Sequence, residues 1–259
     1  MINEVFLHSW EEFKLYISRN FLADIQRDRN TFLFRGQGNA RWSLTPSFDR
    51  AFNSHKDRAD IEHDLLKEFE RLCREDEKYY HVTEYGQNEK EQARINLMAL
   101  GQHLGLPTRL LDWTDSPYIA SFFAFHDHFF EIAKGHNPDN NVAIWILNRN
   151  SPVWQVNNGV RLFSASKWGI PRLKNQSGWF SLSNTPFPCL EDFVEFCLQD
   201  ASRYDVDNPL HKVELPSTAA LDAILDLELM GIKASFLYPD STGLVAETLI
   251  NTLLGREPG

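Results

Sequence analysis

Residues 103–125 read HLGLPTRLLDWTDSPYIASFFAF, and they pass in turn from a helix end to a strand and into a new helix. Gly105 and Pro107 break whatever helix precedes them. Residues 108–113 (TRLLDW) read as a short buried strand. Asp115-Ser116-Pro117 then reads as a helix start, with Asp or Ser at the cap and Pro in the first turn. The helix follows over 117–130. Its Ala120, Phe122, Phe123, Ala124 and Phe125 recur at a spacing that suits a core-facing helix.

Upstream, residues 8–23 form an amphipathic helix with Trp10, Phe13, Ile17 and Phe21 on one stripe. TFLFRG (31–36) is β-prone and ends at Gly36. The turn-rich QGNARWSLTPSFDR stretch carries a Trp42 that reads as exposed. Helices follow over 58–75, with Ile61, Leu65, Leu66, Phe69 and Leu72 inward, and over 89–104. Downstream, NVAIWILN (141–148) is the clearest strand of the chain. Residues 150–210 read as loop-rich. KVELP (212–216) is a further strand, Ser217 caps a helix over 218–230 that Gly231 ends, ASFLYPD (234–240) is extended, and 241–253 is a last helix. Strands placed early, in the middle and late among uneven helices lack the regular alternation of a doubly wound sheet. The expected fold is α+β, a mixed, largely antiparallel sheet flanked by helices. It is expected as one domain over 1–259, with a helical lead-in over 1–30 and a helical C-terminal segment over 217–259.

At 259 residues, 42% of them hydrophobic, the chain can build a core without staples. Three cysteines with no CxxC pair argue against a disulfide framework or a Cys-rich zinc site. A net charge of −10 disfavours non-specific grip on a nucleic-acid backbone, although a local basic groove stays open. No apolar run approaches the roughly 20 residues of a membrane span, and the N-terminus has no signal-peptide pattern. The cytoplasm is the expected location, with no membrane partner.

The candidate site residues are Arg35, Gly36, His103, Thr108, Arg109, Asp112 and Thr114. An Arg at a strand end offers a rigid fork for phosphate or ribose oxygens, and Gly36 permits close backbone approach by a ligand or a special turn. Arg35 can equally make a structural salt bridge. His103 can cap its helix, and Thr108 with Arg109 can form a network that orients the strand. Asp112 has apolar neighbours in sequence and is expected to be buried, which requires a partner; Arg35 and Arg109 are the obvious ones. Trp42 and Trp113 read as packing more readily than as stacking platforms. His126 and His128, two apart on a helix, point apart and do not suit a shared metal. No metal is expected. Arg161, Arg172 and Lys174 suit an anionic ligand or a solvated basic patch.

FLFRG (32–36), WSLTPS (42–47), residues 102–125, VAIWIL (142–147) and LELMGIKASFLYPD (227–240) resemble the FRG-domain family, named for its Phe/Tyr-Arg-Gly motif, in order and spacing. A second likeness is to the ADP-ribosyltransferase fold. There an Arg on an early strand, a strand ending in Ser or Thr before a helix, and a late strand carrying a Glu occur in sequence. Arg35, TRLLDWT with the SPYIASFFA helix, and the IPRLKNQSGWFSL segment follow that order. The likeness implies NAD as substrate, held by Arg35 and oriented by Thr114 or Thr108, with Gln176 at the position of the late Glu. A neutral Gln176 can hydrogen-bond a ribose hydroxyl but cannot offset developing positive charge as a carboxylate does; either transfer uses another acid, such as Asp112 or Glu191, or Gln176 is not the equivalent position, or the site binds without turnover. Three readings follow: a transferase with an unknown macromolecular acceptor, a non-catalytic nucleotide- or phosphate-binding module, and a structural interaction domain. The family resemblance in compact form suits a role in bacterial stress or phage defence.

Overall fold

A computed structural model describes residues 2–53, 57–83, 90–156, 159–164, 178–199, 208–238 and 241–255. Among the described residues, seven strands form one sheet in the order β1-β7-β4-β2-β3-β6-β5. They are β1 (Asn3–Phe6), β2 (Phe32–Gln37), β3 (Leu110–Thr114), β4 (Asn141–Asn148), β5 (Val160–Ser164), β6 (Gly178–Ser183) and β7 (Leu210–Pro216). Only β1 and β7 run parallel; every other neighbouring pair is antiparallel. The sheet is therefore mixed and largely antiparallel, with the three expected strands β4, β2 and β3 side by side at its centre.

Both faces are covered, which explains why β4 is buried at six successive positions rather than alternating. On one face, Phe34, Ile144, Ile146 and Val213 pack under helices α1 (Trp10–Asn20), α6 (Pro117–Ala133) and α8 (Ala220–Leu229) through Phe13, Phe125 and Leu227. On the other, Leu33, Leu111, Trp113 and Trp145 meet Leu44 and helix α7 (Leu190–Leu198) through Phe193 and Val194. Toward the β6 end, Leu110, Phe180 and Leu182 pack on Leu66 of α4 (Arg58–Glu75) and Met98 of α5 (Lys90–His103). Shorter helices α2 (Leu22–Arg27), α3 (Ser47–Phe52) and α9 (Ala234–Leu237), and a last helix α10 (Ser241–Leu253), complete the set among the described residues.

Helix α6 starts as its sequence dictates. The Ser116 hydroxyl accepts from the Ile119 N–H at 3.3 Å, and Pro117 occupies the first turn, where its missing N–H costs nothing. Asp115 instead pairs with Arg29 at 2.9 Å.

The sequence-based expectation needs correcting in three places. The lead-in over 1–30 is not only helical, because Asn3–Phe6 is the parallel edge strand on β7. Residues 234–237 of the stretch read as extended form a helical turn, so Tyr238 follows a helix. The region read as loop-rich contains β5, β6 and α7.

Candidate functional site

Strands β2 and β3 share one register pair, Phe34–Thr114. Were the ladder to continue, Arg35 would face Trp113 and Gly36 would face Asp112. Instead the Arg35 Nη1 donates to the Asp112 backbone carbonyl at 2.8 Å, so a side chain takes the acceptor that strand pairing would use. β3 meanwhile keeps full register with β6. At the centre of the sheet the strands thus part, and a cleft of about 220 Å³ opens there, lined by Arg35, Gly36, Asp112, Thr114, Phe123 and Tyr238 among others.

Arg35 is the cation of this cleft. Its side chain is 21% exposed and its Nη1 lies 3.7 Å from the Asp112 Oδ2. Its Nε is buried and has no hydrogen-bond partner, a state it shares with the Nε atoms of Arg58, Arg109, Arg149 and Arg161. Burial pulls the guanidinium below its ordinary value, the Asp112 carboxylate pushes it back up, and nearby Arg50 lowers it further. Arg50, from α3, donates to the Thr45 carbonyl.

Asp112 is not the buried group its sequence neighbours suggest. Its side chain is 56% exposed, because β3 turns Leu111 and Trp113 toward one core and leaves Asp112 at the mouth of the cleft. It is held in place nonetheless. The Gln102 amide donates to the Asp112 Oδ1 at 2.5 Å, and the Thr108 hydroxyl donates to the Gln102 carbonyl oxygen at 2.5 Å. Gln102 was not among the residues singled out by sequence, although it opens the QHLGLPT stretch. Its position at the last turn of α5, ten residues before Asp112, gives no local pattern that would announce the contact. Tyr238 and Phe123, the aromatic walls, were likewise missed or read only as core.

The remaining candidates divide. Thr114 lines the cleft, is buried, and its hydroxyl accepts from the Ser116 N–H at 3.2 Å. Thr108 is buried and reciprocally bonded to Ser47: its N–H donates to the Ser47 hydroxyl at 3.1 Å, and that hydroxyl donates to the Thr108 carbonyl at 3.2 Å. It fastens β3 to α3 and reaches the cleft only through Gln102. Arg109 does not line the cleft. It sits over the Phe48 ring at 5.2 Å, 3.9 Å from Asp49 and 3.6 Å from Glu62, in a cluster that also holds Arg58 on Asp49 and Arg94 on Glu62. Of the two arginines expected beside Asp112, Arg35 is the one that lies at it. His103, at the end of α5, is half-buried and does not line the cleft.

Gly36 has a different reason from the one its sequence context suggested. A Cβ there would lie 1.9 Å from the Ala120 carbonyl oxygen of α6. The glycine lets helix backbone, rather than a ligand, approach the strand. Trp113 is buried and donates to the Ser181 hydroxyl at 2.9 Å, which makes it packing, while Trp42 is exposed. Glu191 lies on the other face of the sheet, where both carboxylate oxygens accept from the Leu44 N–H at 2.8 and 3.0 Å; it does not line the cleft. Arg161 pairs with Glu91. His128 bonds the Gly38 carbonyl at 2.6 Å, and no group of metal-ligand side chains occurs among the described residues. Gln176, Arg172 and Lys174 lie outside the described residues. No helix among the described residues is long and apolar enough to cross a membrane.

The family model of the FRG domain matches residues 30–131, so the chain carries an FRG domain there. The match spans β2, β3 and most of α6, and so contains Arg35, Gln102, Asp112 and Phe123; Tyr238 lies outside it. No curated protein and no solved structure matches the chain.

Proposed function

We propose that the cleft between β2, β3 and α6 binds a nucleotide, with NAD as substrate and ADP-ribosyl transfer as the reaction. The observation that carries this reading is the Arg35 guanidinium. It is mostly buried within β2, has one N–H without a partner, and stands beside an oriented carboxylate. A planar cation with a spare donor suits a phosphate or ribose oxygen. Phe123 and Tyr238 supply apolar and aromatic wall. The volume of about 220 Å³ is below the roughly 300–1,000 Å³ of pockets that enclose whole drug-sized ligands. It accommodates one ring and its sugar, and the rest of a dinucleotide lies across the open side.

In the proposed reaction the bond between the ribose carbon and nicotinamide breaks, and the electron pair leaves with nicotinamide. An acceptor nucleophile bonds that carbon and loses its proton. In this reading Asp112 holds a ribose hydroxyl and offsets the positive charge that develops on the sugar. It takes the role that Gln176, as a neutral amide, does not fill. The acceptor is a macromolecule of unassigned class. Participation in stress or phage defence belongs to the same proposal.

A second reading has an observation of its own. Asp112 already receives bonds or charge from Gln102 and Arg35, which blunts it as a charge stabiliser and suits a module that binds without turnover. Nicotinamide release from NAD separates the two. The transferase reading expects slow release by the wild type, and a loss of roughly 10²–10³ in rate for Asp112→Asn, with melting unchanged. Binding of NAD with no release, in the presence of cell-extract acceptors, supports the binding module instead.

A further inference from the structure

The chain between α5 and β3 folds back on itself. Gly105 takes φ 94°, a left-handed conformation that closes the end of a helix, and the Leu106 N–H returns to the Gly101 carbonyl at 2.8 Å. Main chain alone makes this cap, so the Gln102 side chain is not needed for it. The turn instead sets that side chain between Thr108, six residues on, and Asp112, ten residues on. The hydrogen bonds along this line have a direction. The Leu110 N–H donates to the Thr108 hydroxyl oxygen at 3.3 Å, and the Thr108 hydroxyl donates to the Gln102 carbonyl oxygen at 2.5 Å. That turns the amide so that its N–H faces Asp112, to whose Oδ1 it donates at 2.5 Å. The reversed amide would set its carbonyl oxygen against the carboxylate, two acceptors with no proton between them. Thr108 is itself fixed from α3: its N–H donates to the Ser47 hydroxyl at 3.1 Å, and its carbonyl accepts from that hydroxyl at 3.2 Å and from the Phe48 N–H at 3.0 Å.

We propose that Gln102 is a positioning residue that fixes Asp112 as an ionised acceptor at the mouth of the cleft, with Thr108 setting the sense of its amide. Arg35 stands on the other side of the same carboxylate, its Nη1 3.7 Å from Oδ2 and bonded to the Asp112 main-chain carbonyl. A ligand group that meets Asp112 must therefore donate. A sugar hydroxyl fits; a phosphate is repelled there and goes to the guanidinium. This polarity orders a nucleotide in the cleft, ribose toward Asp112 and phosphate toward Arg35. That consequence rests on the nucleotide reading above; the relay from Thr108 to Asp112 does not.

A double-mutant cycle read by urea unfolding tests the relay without a ligand. Gln102→Glu keeps the shape and the acceptor for Thr108, but it puts a carboxylate oxygen where the amide N–H faced Asp112. It is expected to lower the unfolding midpoint. Adding Asp112→Asn supplies a donor from the other side and is expected to restore the midpoint, while Asp112→Asn alone stays near wild type. A Gln102→Glu midpoint equal to wild type, or no recovery in the double variant, overturns the proposal. Nicotinamide release from NAD gives the second readout. The double variant re-forms the network with the charge on the wrong residue, so it is expected to be as slow as Asp112→Asn despite its recovered stability. Gln102→Leu is expected to lower kcat roughly 10–100-fold with KM for NAD within about twofold. Thr108→Ser, which keeps the hydroxyl, is expected to lose less than Thr108→Val. Wild-type kcat in Gln102→Leu also overturns the proposal. A wild type that releases no nicotinamide counts against the transferase reading alone, and the unfolding cycle then decides the relay.

Discussion

Replacing Gly36 with alanine inserts one methyl group between a strand and the helix laid across it. The new Cβ would lie 1.9 Å from the Ala120 carbonyl oxygen, 2.8 Å from the Ala124 nitrogen and 2.9 Å from the Ala120 carbonyl carbon. All three are backbone atoms of α6, so no side chain can swing aside. Ordinary contact demands a retreat of about 1.5 Å or more. α6 cannot retreat cheaply, because its Phe122, Phe125 and Phe129 are fully or almost fully buried and close-packed interiors transmit such shifts. Overpacking of this kind costs about 3 kcal/mol, the upper end of its usual range, out of a total stability of roughly 5–15 kcal/mol. Gly38 provides the control on the same segment. Its Cβ would meet the His128 ring at 3.6 Å and the Ala124 carbonyl oxygen at 3.8 Å, ordinary contacts, so Gly38→Ala is expected to change stability by less than about 1 kcal/mol. Urea titration followed by tryptophan fluorescence measures both. Equal midpoints for the two variants, or a Gly36→Ala cost under about 1 kcal/mol, would refute the claim that glycine serves the strand–helix approach.

Asp49→Asn leaves Arg58 without its buried carboxylate and Arg109 with Glu62 alone, and a loss of about 3 kcal/mol is expected by denaturant titration; a change under 1 kcal/mol would show the cluster to be dispensable. Burial pushes the Glu191 carboxyl up, so the stability tied to its protonation is fully present below the unfolded value of about 4.3 and is lost as pH rises through the higher folded value. Glu191→Gln, which keeps an acceptor for Leu44, is expected to flatten the fall in stability as pH rises above that unfolded value; an unchanged pH profile would contradict this. The Cys189 thiol is pushed up to about 12 by burial, and Cys73 and Cys197 are also raised by burial. All three are expected to react with a thiol reagent at pH 8 at least tenfold more slowly than a free cysteine, and a fast phase would place one of them in a different environment.

The centre of the sheet was legible because its signals are local. TFLFRG, the 108–113 strand and NVAIWILN are bounded by Gly, Pro and Asp, and Ser116-Pro117 announces α6 within two residues. The edges were not legible, because their partners lie far away in sequence. Asn3–Phe6 is a four-residue strand that gains meaning only from pairing with 211–214. Helix α7 was readable and missed, since Leu190, Phe193, Val194 and Cys197 fall at i, i+3, i+4 and i+7. In the site, the pairing of Arg35 with Asp112 follows from electrostatics once both are known to sit on neighbouring strands. The exposure of Asp112 does not, because it depends on where β2 and β3 part. Gln102 was invisible for a similar reason: a helix-end amide becomes part of the site only when α5 folds back over β3.

The most direct test is calorimetric titration of the protein with NAD and with ADP-ribose, wild type beside Arg35→Gln. Arg35→Gln keeps a donor but removes the charge and the fork. The wild type is expected to bind at least one of the two with submillimolar affinity, and Arg35→Gln at least tenfold more weakly, with a melting temperature within a few degrees of wild type. Equal affinity in the two proteins, or no heat from either ligand at 5 mM in the wild type, would contradict a nucleotide site at Arg35.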